Sequence, residues 1–203
     1  MGDTVEISGI ILAGGKSSRM KFNKAFAEIG GQRIIDILIN KFQKNFAETI
    51  IISNEPQLFS NLGVQVYTDL VPSRGPLSGI HAGLTHASYD RVFVCGCDMP
   101  FVSMEIVEYL LERLGEHDSA VTEIEGWLQP TAAVYSRRCL PILNECLERG
   151  WLKLVRLFYE QLDAVILNES ELAALGDVKE LFFNINNTDD LEKAKTIAGR
   201  LLK

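Results

Sequence analysis

The sequence predicts an α/β fold, a parallel sheet with helices on both faces, and two patterns in it carry that prediction. Short, almost wholly apolar runs rich in β-branched residues recur along the chain, and between them apolar residues return at helical spacing. A strand buried on both faces reads as a continuous apolar run rather than as alternation, and regular strand–helix alternation produces parallel pairing.

Residues 7–12 form the first such run and end in glycines, and Ile34, Ile35, Leu38, Ile39 and Phe42 then mark a helix. A strand is expected at 49–53, a short helix at 57–62, a strand at 64–67, a helix at 78–87 and a strand at 91–95. Residues 104–114 carry an apolar stripe at Ile106, Val107, Leu110, Leu111 and Leu114. Ser103 stands ready as N-cap there, with Glu105 and Glu108 in the first turns where the helix dipole favours acids. The second half is less regular: strands at 119–124, 131–136 and 164–167, and helices at 139–149 and 152–162. An amphipathic helix closes the chain over 188–203, capped by Thr188 or Asp189. No repeat, low-complexity tract or linker interrupts this order, so residues 1–203 are expected to form one domain.

Composition sets the bounds. A chain of 203 residues and 22.6 kDa with 47% apolar and 23% charged residues is of ordinary globular make-up. Folding at this size buries about 70% of the unfolded surface, so neither a disulfide nor a structural metal is required. The net charge is −7, from 27 acidic and 20 basic residues, which argues against a nucleic-acid or anionic-membrane partner. No run approaches the roughly 18 apolar residues of a spanning helix, and the opening Met1-Gly-Asp-Thr-Val-Glu6 lacks the basic and apolar regions of a secretory signal. The expected address is the cytoplasm. Cys95, Cys97, Cys139 and Cys146 suit neither a zinc site nor a disulfide framework; Cys95-Gly-Cys97 is either a redox pair or, more simply, two reduced thiols on a buried strand.

In an open parallel sheet ligands bind beyond the carboxyl ends of the strands, where strand order reverses. Three segments fall there. Leu12-Ala-Gly-Gly-Lys-Ser-Ser-Arg-Met20, with Lys24 four residues on, offers bare backbone N–H groups and four basic residues within nine positions, as a polyphosphate requires. It is not a P-loop, since a pattern ending in Gly15-Lys16-Ser17 needs glycine where Ile10 stands. It is not G-x-G-x-x-G either. Val92-Phe-Val-Cys-Gly-Cys-Asp98-Met-Pro places a carboxylate just after a buried strand, as expected of a Mg²⁺ ligand, or else of a turn residue. Tyr67-Thr-Asp69 through Gly75-Pro-Leu-Ser-Gly79 is a long loop of the kind that lines sites in such sheets. The three histidines show no triad logic, Ser17 and Ser18 lack a base, and Trp127 and Trp151 read as packing or pocket-rim residues.

Taken together, Leu12-Ala-Gly-Gly-x-Ser-x-Arg-Met20 with Lys24, Asp69 with Gly75 to Gly79, Cys97-Asp-Met-Pro100, Gln129-Pro-Thr131 and Asn184-Ile-Asn186-x-Thr-Asp-Asp-Leu191 resemble the molybdenum cofactor guanylyltransferase family. The resemblance spans nearly the whole chain. It implies a three-layer α/β/α Rossmann-like nucleotidyltransferase fold with a mostly parallel central sheet. It further implies that Leu12, Ala13, Gly14 and Gly15 hold the base and triphosphate of GTP, and that Arg19 and Lys24 contact phosphates. Asn54 and Asp69 would help hold the nucleoside, beside Gly75 and Gly79, and Asp98 would bind Mg²⁺. Asn184 and Asn186 would lie near the metal and the pterin phosphate, and Lys153 near the pterin. Two positions depart from the pattern: Lys21 follows Met20 where the family usually has Gly, and Gln129 precedes Pro130 where it tends to have His or an acid.

The implied reaction moves GMP from GTP to the phosphate of molybdopterin, with Mg²⁺ as cofactor and molybdoenzymes or delivery proteins as further partners. Alternatives are a sister nucleotidyltransferase using CTP or a sugar or polyol phosphate, and a nucleotide-binding protein without catalysis. Gly14-Gly15 favours guanine, since cytidylyl relatives more often resemble Ala-Ala-Gly there.

Overall fold

The computed structural model of the chain describes residues 5–14, 23–71, 75–150 and 153–201. Strand β1 (Val5–Leu12) is followed by a hairpin of two-residue strands, β2 (Glu28–Ile29) and β3 (Gln32–Arg33), and by helix α1 (Ile34–Asn45). Then come β4 (Phe46–Ile52), β5 (Gln65–Tyr67), α2 (Pro76–His86), β6 (Arg91–Gly96) and α3 (Met104–Leu114). The second half runs β7 (Ser119–Ile124), β8 (Trp127–Leu128), β9 (Ala132–Ser136), α4 (Leu140–Glu148), α5 (Leu154–Glu160) and β10 (Ala164–Asn168). Two one-turn helices, α6 (Glu169–Leu172) and α7 (Val178–Leu181), precede the closing α8 (Thr188–Leu201).

The main sheet has the order β10-β7-β9-β6-β1-β4-β5, with β8 pairing on β7. The central strands explain their own composition. Ile7 and Ile11 of β1, Ile51 of β4 and Phe93 and Cys95 of β6 enter one core, with the buried faces of α1, α3 and α8. Ile10, Leu12, Ile50, Ile52, Val92 and Val94 enter the other, with α2, α4 and α5. Both faces are covered, so the strands carry apolar residues without alternation. The expected α/β/α sandwich is what forms.

Four strand pairs of this sheet are parallel, but β9 runs antiparallel to both β6 and β7, and β8 antiparallel to β7. Two hairpins close on turns that hydrophobic periodicity does not mark. Glu125 (φ 51°) and Gly126 (φ 78°) join β7 to β8, and Gly30 (φ 57°) and Gly31 (φ 77°) join β2 to β3. Two consecutive left-handed residues are what a tight two-residue hairpin demands. Helix starts follow local chemistry: Ser103 Oγ accepts from the Ile106 N–H at 3.4 Å, as expected. At α8 the expectation of Thr188 or Asp189 is corrected, because Asn187 Oδ1 accepts from the Asp190 N–H at 2.9 Å and makes Asn187 the cap. The helix at 57–62 reduces to a 3₁₀ turn, Pro56–Leu58. Among the described residues no helix is long and apolar enough to cross a membrane.

Candidate active site

Chain order reverses around β1: β4 and β5 lie to one side of it and β6 to the other. Its carboxyl end is therefore the switch point, and backbone bonds fasten it to both neighbours. The Ala13 N–H donates to the Ile52 carbonyl at 2.9 Å, and the Cys97 N–H donates to the Leu12 carbonyl at 2.9 Å. Gly14 follows, exposed, and among the described residues a Cβ added there would meet only the Ile52 carbonyl, 4.0 Å away.

Asp98 stands opposite, two residues past β6. The Gly96 N–H donates to the Thr131 carbonyl at 2.7 Å, the Met99 N–H to the Gly96 carbonyl at 3.1 Å, and the Asp98 carbonyl accepts from the Ile185 N–H at 2.9 Å. The turn is thus tied to β9's approach and to the segment before α8. Asp98 Oδ2 lies 3.2 Å from Lys24 Nζ, with the two side chains 24% and 18% exposed. Lys24 opens a 3₁₀ turn, Lys24–Phe26, whose cap Asn23 accepts from the Ala25 N–H at 3.0 Å and whose Ala25 is buried. A half-covered cation and anion held on rigid turns can act on a charged substrate without first being ordered.

On the β4 side Asn54 and Asp69 hold each other. Asn54 Nδ2 donates to Asp69 Oδ2 at 2.8 Å, and the Asp69 N–H donates to Asn54 Oδ1 at 3.2 Å. Asp69 Oδ1 is left over for a ligand. Gly75 precedes α2 with φ +66°, a left-handed conformation that suits glycine. A Cβ on Gly79 would lie 3.0 Å from Leu12 Cδ2 and 3.9 Å from Asp69 Oδ1, so this glycine lets α2 close against the end of β1.

Leu12, Ala13, Gly14, Lys24, Asn54, Asp69, Gly75, Gly79 and Asp98 all come to this carboxyl edge. Gly15 and Arg19 lie outside the described residues. Asn184 is next to Ile185, which bonds the Asp98 carbonyl, and its Oδ1 is buried with no hydrogen-bond partner. Asn186 is exposed, its N–H donating to Asp190 Oδ2 at 3.0 Å. Lys153 is exposed just ahead of α5, and no contact ties it to the Lys24–Asp98 pair. Gly96 and Lys41, both treated below, were not singled out by sequence. Gly96 could have been, as the last residue of a buried run two positions before an acid, and Lys41 falls three residues past Leu38, on the apolar stripe of its helix.

The cysteines take the simpler of their two readings. Cys95 is buried and unpaired, and burial pushes its thiol up to about 12; Cys97, also unpaired, is driven higher still by burial and by Asp98. Such thiols stay protonated and unreactive. The histidines are elsewhere in role: His81 is buried with Nε2 2.7 Å from Asn144 Oδ1, His86 stacks on Tyr67 at 3.9 Å, and His117 Nδ1 lies 3.0 Å from Asp163 Oδ1.

A three-layer α/β/α sheet with glycine backbone, a lysine and a carboxylate at its switch point has the build of a nucleotidyltransferase. The family model described as the MobA-like NTP transferase domain matches residues 9–165. The chain is 38% identical to a "probable molybdenum cofactor guanylyltransferase" of Pelotomaculum thermopropionicum, over 96% of this chain and 94% of that one. It is 34% identical to the molybdenum cofactor guanylyltransferase of Desulfosudis oleivorans, over 96% and 98% of the two chains. Among solved structures, molybdopterin-guanine dinucleotide biosynthesis protein A from Archaeoglobus fulgidus shares the fold with a TM-score of 0.83 at 24% identity, covering 96% of this chain and all (100%) of that one. The chain belongs to the molybdenum cofactor guanylyltransferase family of MobA-like NTP transferases, and is a nucleotidyltransferase of molybdenum cofactor biosynthesis.

Proposed function

We propose that the protein transfers GMP from GTP to the terminal phosphate of molybdopterin and releases pyrophosphate, with Mg²⁺ bound at Asp98. The observation that carries the reading is the Lys24–Asp98 pair, whose Asp98 turn is bonded through the Cys97 N–H to the Leu12 carbonyl at the switch point. An acceptor phosphate is already an anionic nucleophile, so the site needs no strong base, and none of the described histidines is placed to be one. Its oxygen attacks the α-phosphorus, the bond from that phosphorus to the bridging oxygen breaks, and pyrophosphate leaves with the electron pair. Lys24 would neutralise the charge that develops on the phosphates, and the Leu12–Gly14 backbone would hold them in line. Asp69, fixed by Asn54, would orient the nucleoside through its remaining oxygen.

The donor set fits magnesium. Asp98 offers a carboxylate and Asn184 a buried oxygen that lacks a partner, both hard ligands. Magnesium takes one or two carboxylates and completes its shell with phosphates and water. Bound there, the ion would supply charge neutralisation at the α-phosphate. Asn186 and Lys153 would serve the pterin side, and a nucleotide substrate fits a cytoplasmic address.

The test is pyrophosphate release with molybdopterin, Mg²⁺ and each of GTP, CTP, ATP and UTP in turn. Release with GTP alone is expected. Release with CTP alone would reassign the base, and silence with all four would overturn the reading. In the same assay Asp98→Ala should slow release on the order of 10²–10³-fold. Turnover within tenfold of wild type would remove Asp98 from the site.

A further inference from the structure

Lys41 lies on α1, outside the site described above, and is half-buried. Its ammonium reaches across the core boundary to the segment that leaves the Asp98 turn. Nζ donates to the Pro100 carbonyl at 2.9 Å and to the Val102 carbonyl at 2.7 Å. Burial draws its pKa below the ordinary 10.5, against the pull of Cys95 and Glu105. A half-buried cation whose hydrogen-bond partners are both neutral carbonyls is a costly way to fill a helix position, and an apolar residue would fit the stripe of Ile34, Leu38 and Phe42 more cheaply. What it gains is a fixed path for residues 99–102. Met99, Phe101 and Val102 are buried, so the carbonyls between them have little access to water, and neither a strand nor a helix supplies them a donor.

We propose that Lys41 is a positioning residue for Asp98. Upstream, the turn is already fixed by Gly96 on Thr131 and Cys97 on Leu12, and at its centre by Ile185 on the Asp98 carbonyl. Lys41 clamps the downstream limb at two carbonyls, two and four residues past the carboxylate. With both limbs held, Asp98 Oδ2 stays at its 3.2 Å distance from Lys24. Without the clamp the segment must find water or another path for the two carbonyls, and the carboxylate loses its fixed bearing on the phosphate site. The inference deepens the nucleotidyltransferase reading and rests on it for the reaction, though not for the geometry.

The experiment compares wild type with Lys41→Met, which keeps an unbranched apolar stem but donates nothing, and Lys41→Arg, which keeps the donors. Residue-resolved amide exchange is read at Cys97, whose N–H bonds to the Leu12 carbonyl, at Met99, whose N–H bonds to the Gly96 carbonyl, and at Val121 and Val165 in the distant β7–β10 pair. In Lys41→Met the first two amides should exchange roughly tenfold faster or more, with Val121 and Val165 unchanged. Lys41→Arg should restore them. In the pyrophosphate assay kcat should fall roughly ten- to a hundredfold at nearly constant KM for the nucleotide. Should Lys41→Met fail to fold, Lys41→Gln, which keeps an N–H donor at shorter reach, is read in the same way. Unchanged exchange at Cys97 and Met99, or equal acceleration across the sheet, would overturn the proposal. Exchange decides it even if the wild-type protein releases no pyrophosphate, an outcome that would sink the assigned reaction instead.

Discussion

Two residues before the carboxylate, Gly96 is where a single methyl group should do the most damage to function for the least to the fold. A Cβ there would lie 2.6 Å from Asp98 Oδ1 and 3.7 Å from Thr131 Cβ. The first contact is too short to persist. The atom it meets is the free end of a side chain, so relief comes by rotating the carboxylate rather than by moving the strand. That rotation takes Oδ2 off Lys24. Gly96→Ala should therefore keep a melting temperature within a few degrees of wild type while losing roughly ten- to a hundredfold in pyrophosphate release. Full activity in that variant would show that the bearing of the carboxylate, as distinct from its presence, does not matter. Asn54, by contrast, spends both ends of its amide on Asp69 and so fixes that carboxylate.

At the scale of elements, β1 and α1 meet through a glycine that the aromatic residues require. α1 passes directly into β4, which brings Phe42 and Phe46 to 4.9 Å of each other and both close to Phe93. Gly9 lies beneath them: a Cβ would come within 2.4 Å of Phe46 Cδ2 and 2.6 Å of Phe42 Cδ2. Both rings are buried and have nowhere to swing, in contrast to the partly exposed carboxylate beside Gly96. Gly9→Ala should cost about 1–3 kcal/mol as an overpacked core, read as a lower urea midpoint with an unchanged m-value. An unchanged midpoint would mean that the ring cluster is looser than its geometry. Most elements were legible beforehand because each central strand must be apolar on both faces, as Ile10, Ile11, Ile50, Ile51, Ile52 and Val92–Val94 are. The direction of β9 was not. All five residues of Ala132–Ser136 are buried, and a fully buried run reads the same in either direction. Asp98 and the Gly14 backbone were legible by their place after strands. The clamp of Lys41 was hidden, since it depends on which carbonyls a distant turn leaves bare.

For the whole molecule, the four free thiols set how stability should respond to alkali. Burial pushes Cys95 and Cys139 up to about 12 and Cys97 further, from an ordinary 9.0, while Tyr135 is raised well above 10 for the same reason. A group whose folded pKa is raised keeps its proton in the native state while the unfolded chain gives it up. Its stabilising contribution is complete below the unfolded value and is lost as pH climbs toward the folded one. Each such thiol should withdraw about 1.4 kcal/mol of stability per pH unit between its unfolded and folded values. The acidic side behaves in the opposite sense. Burial would raise the Glu48 carboxyl, but hydrogen bonds from Ser8 and Ser88, with Arg137, hold it below 4.5, and Glu105 is lowered by its own N–H and by Ser103. Their contribution is present above the ordinary value and is lost as pH falls below it. Urea midpoints measured under reducing conditions should therefore run nearly level between these limits, drop as pH falls below about 4.5, and fall steeply from about pH 9 upward. Cys95→Ala should remove one thiol's share of the alkaline slope while leaving the acidic limb as it is. A midpoint that stays level from pH 9 to pH 11 would show that the thiols ionise as readily in the folded chain as in the unfolded one, and that the strand bearing Cys95 is not sealed from water.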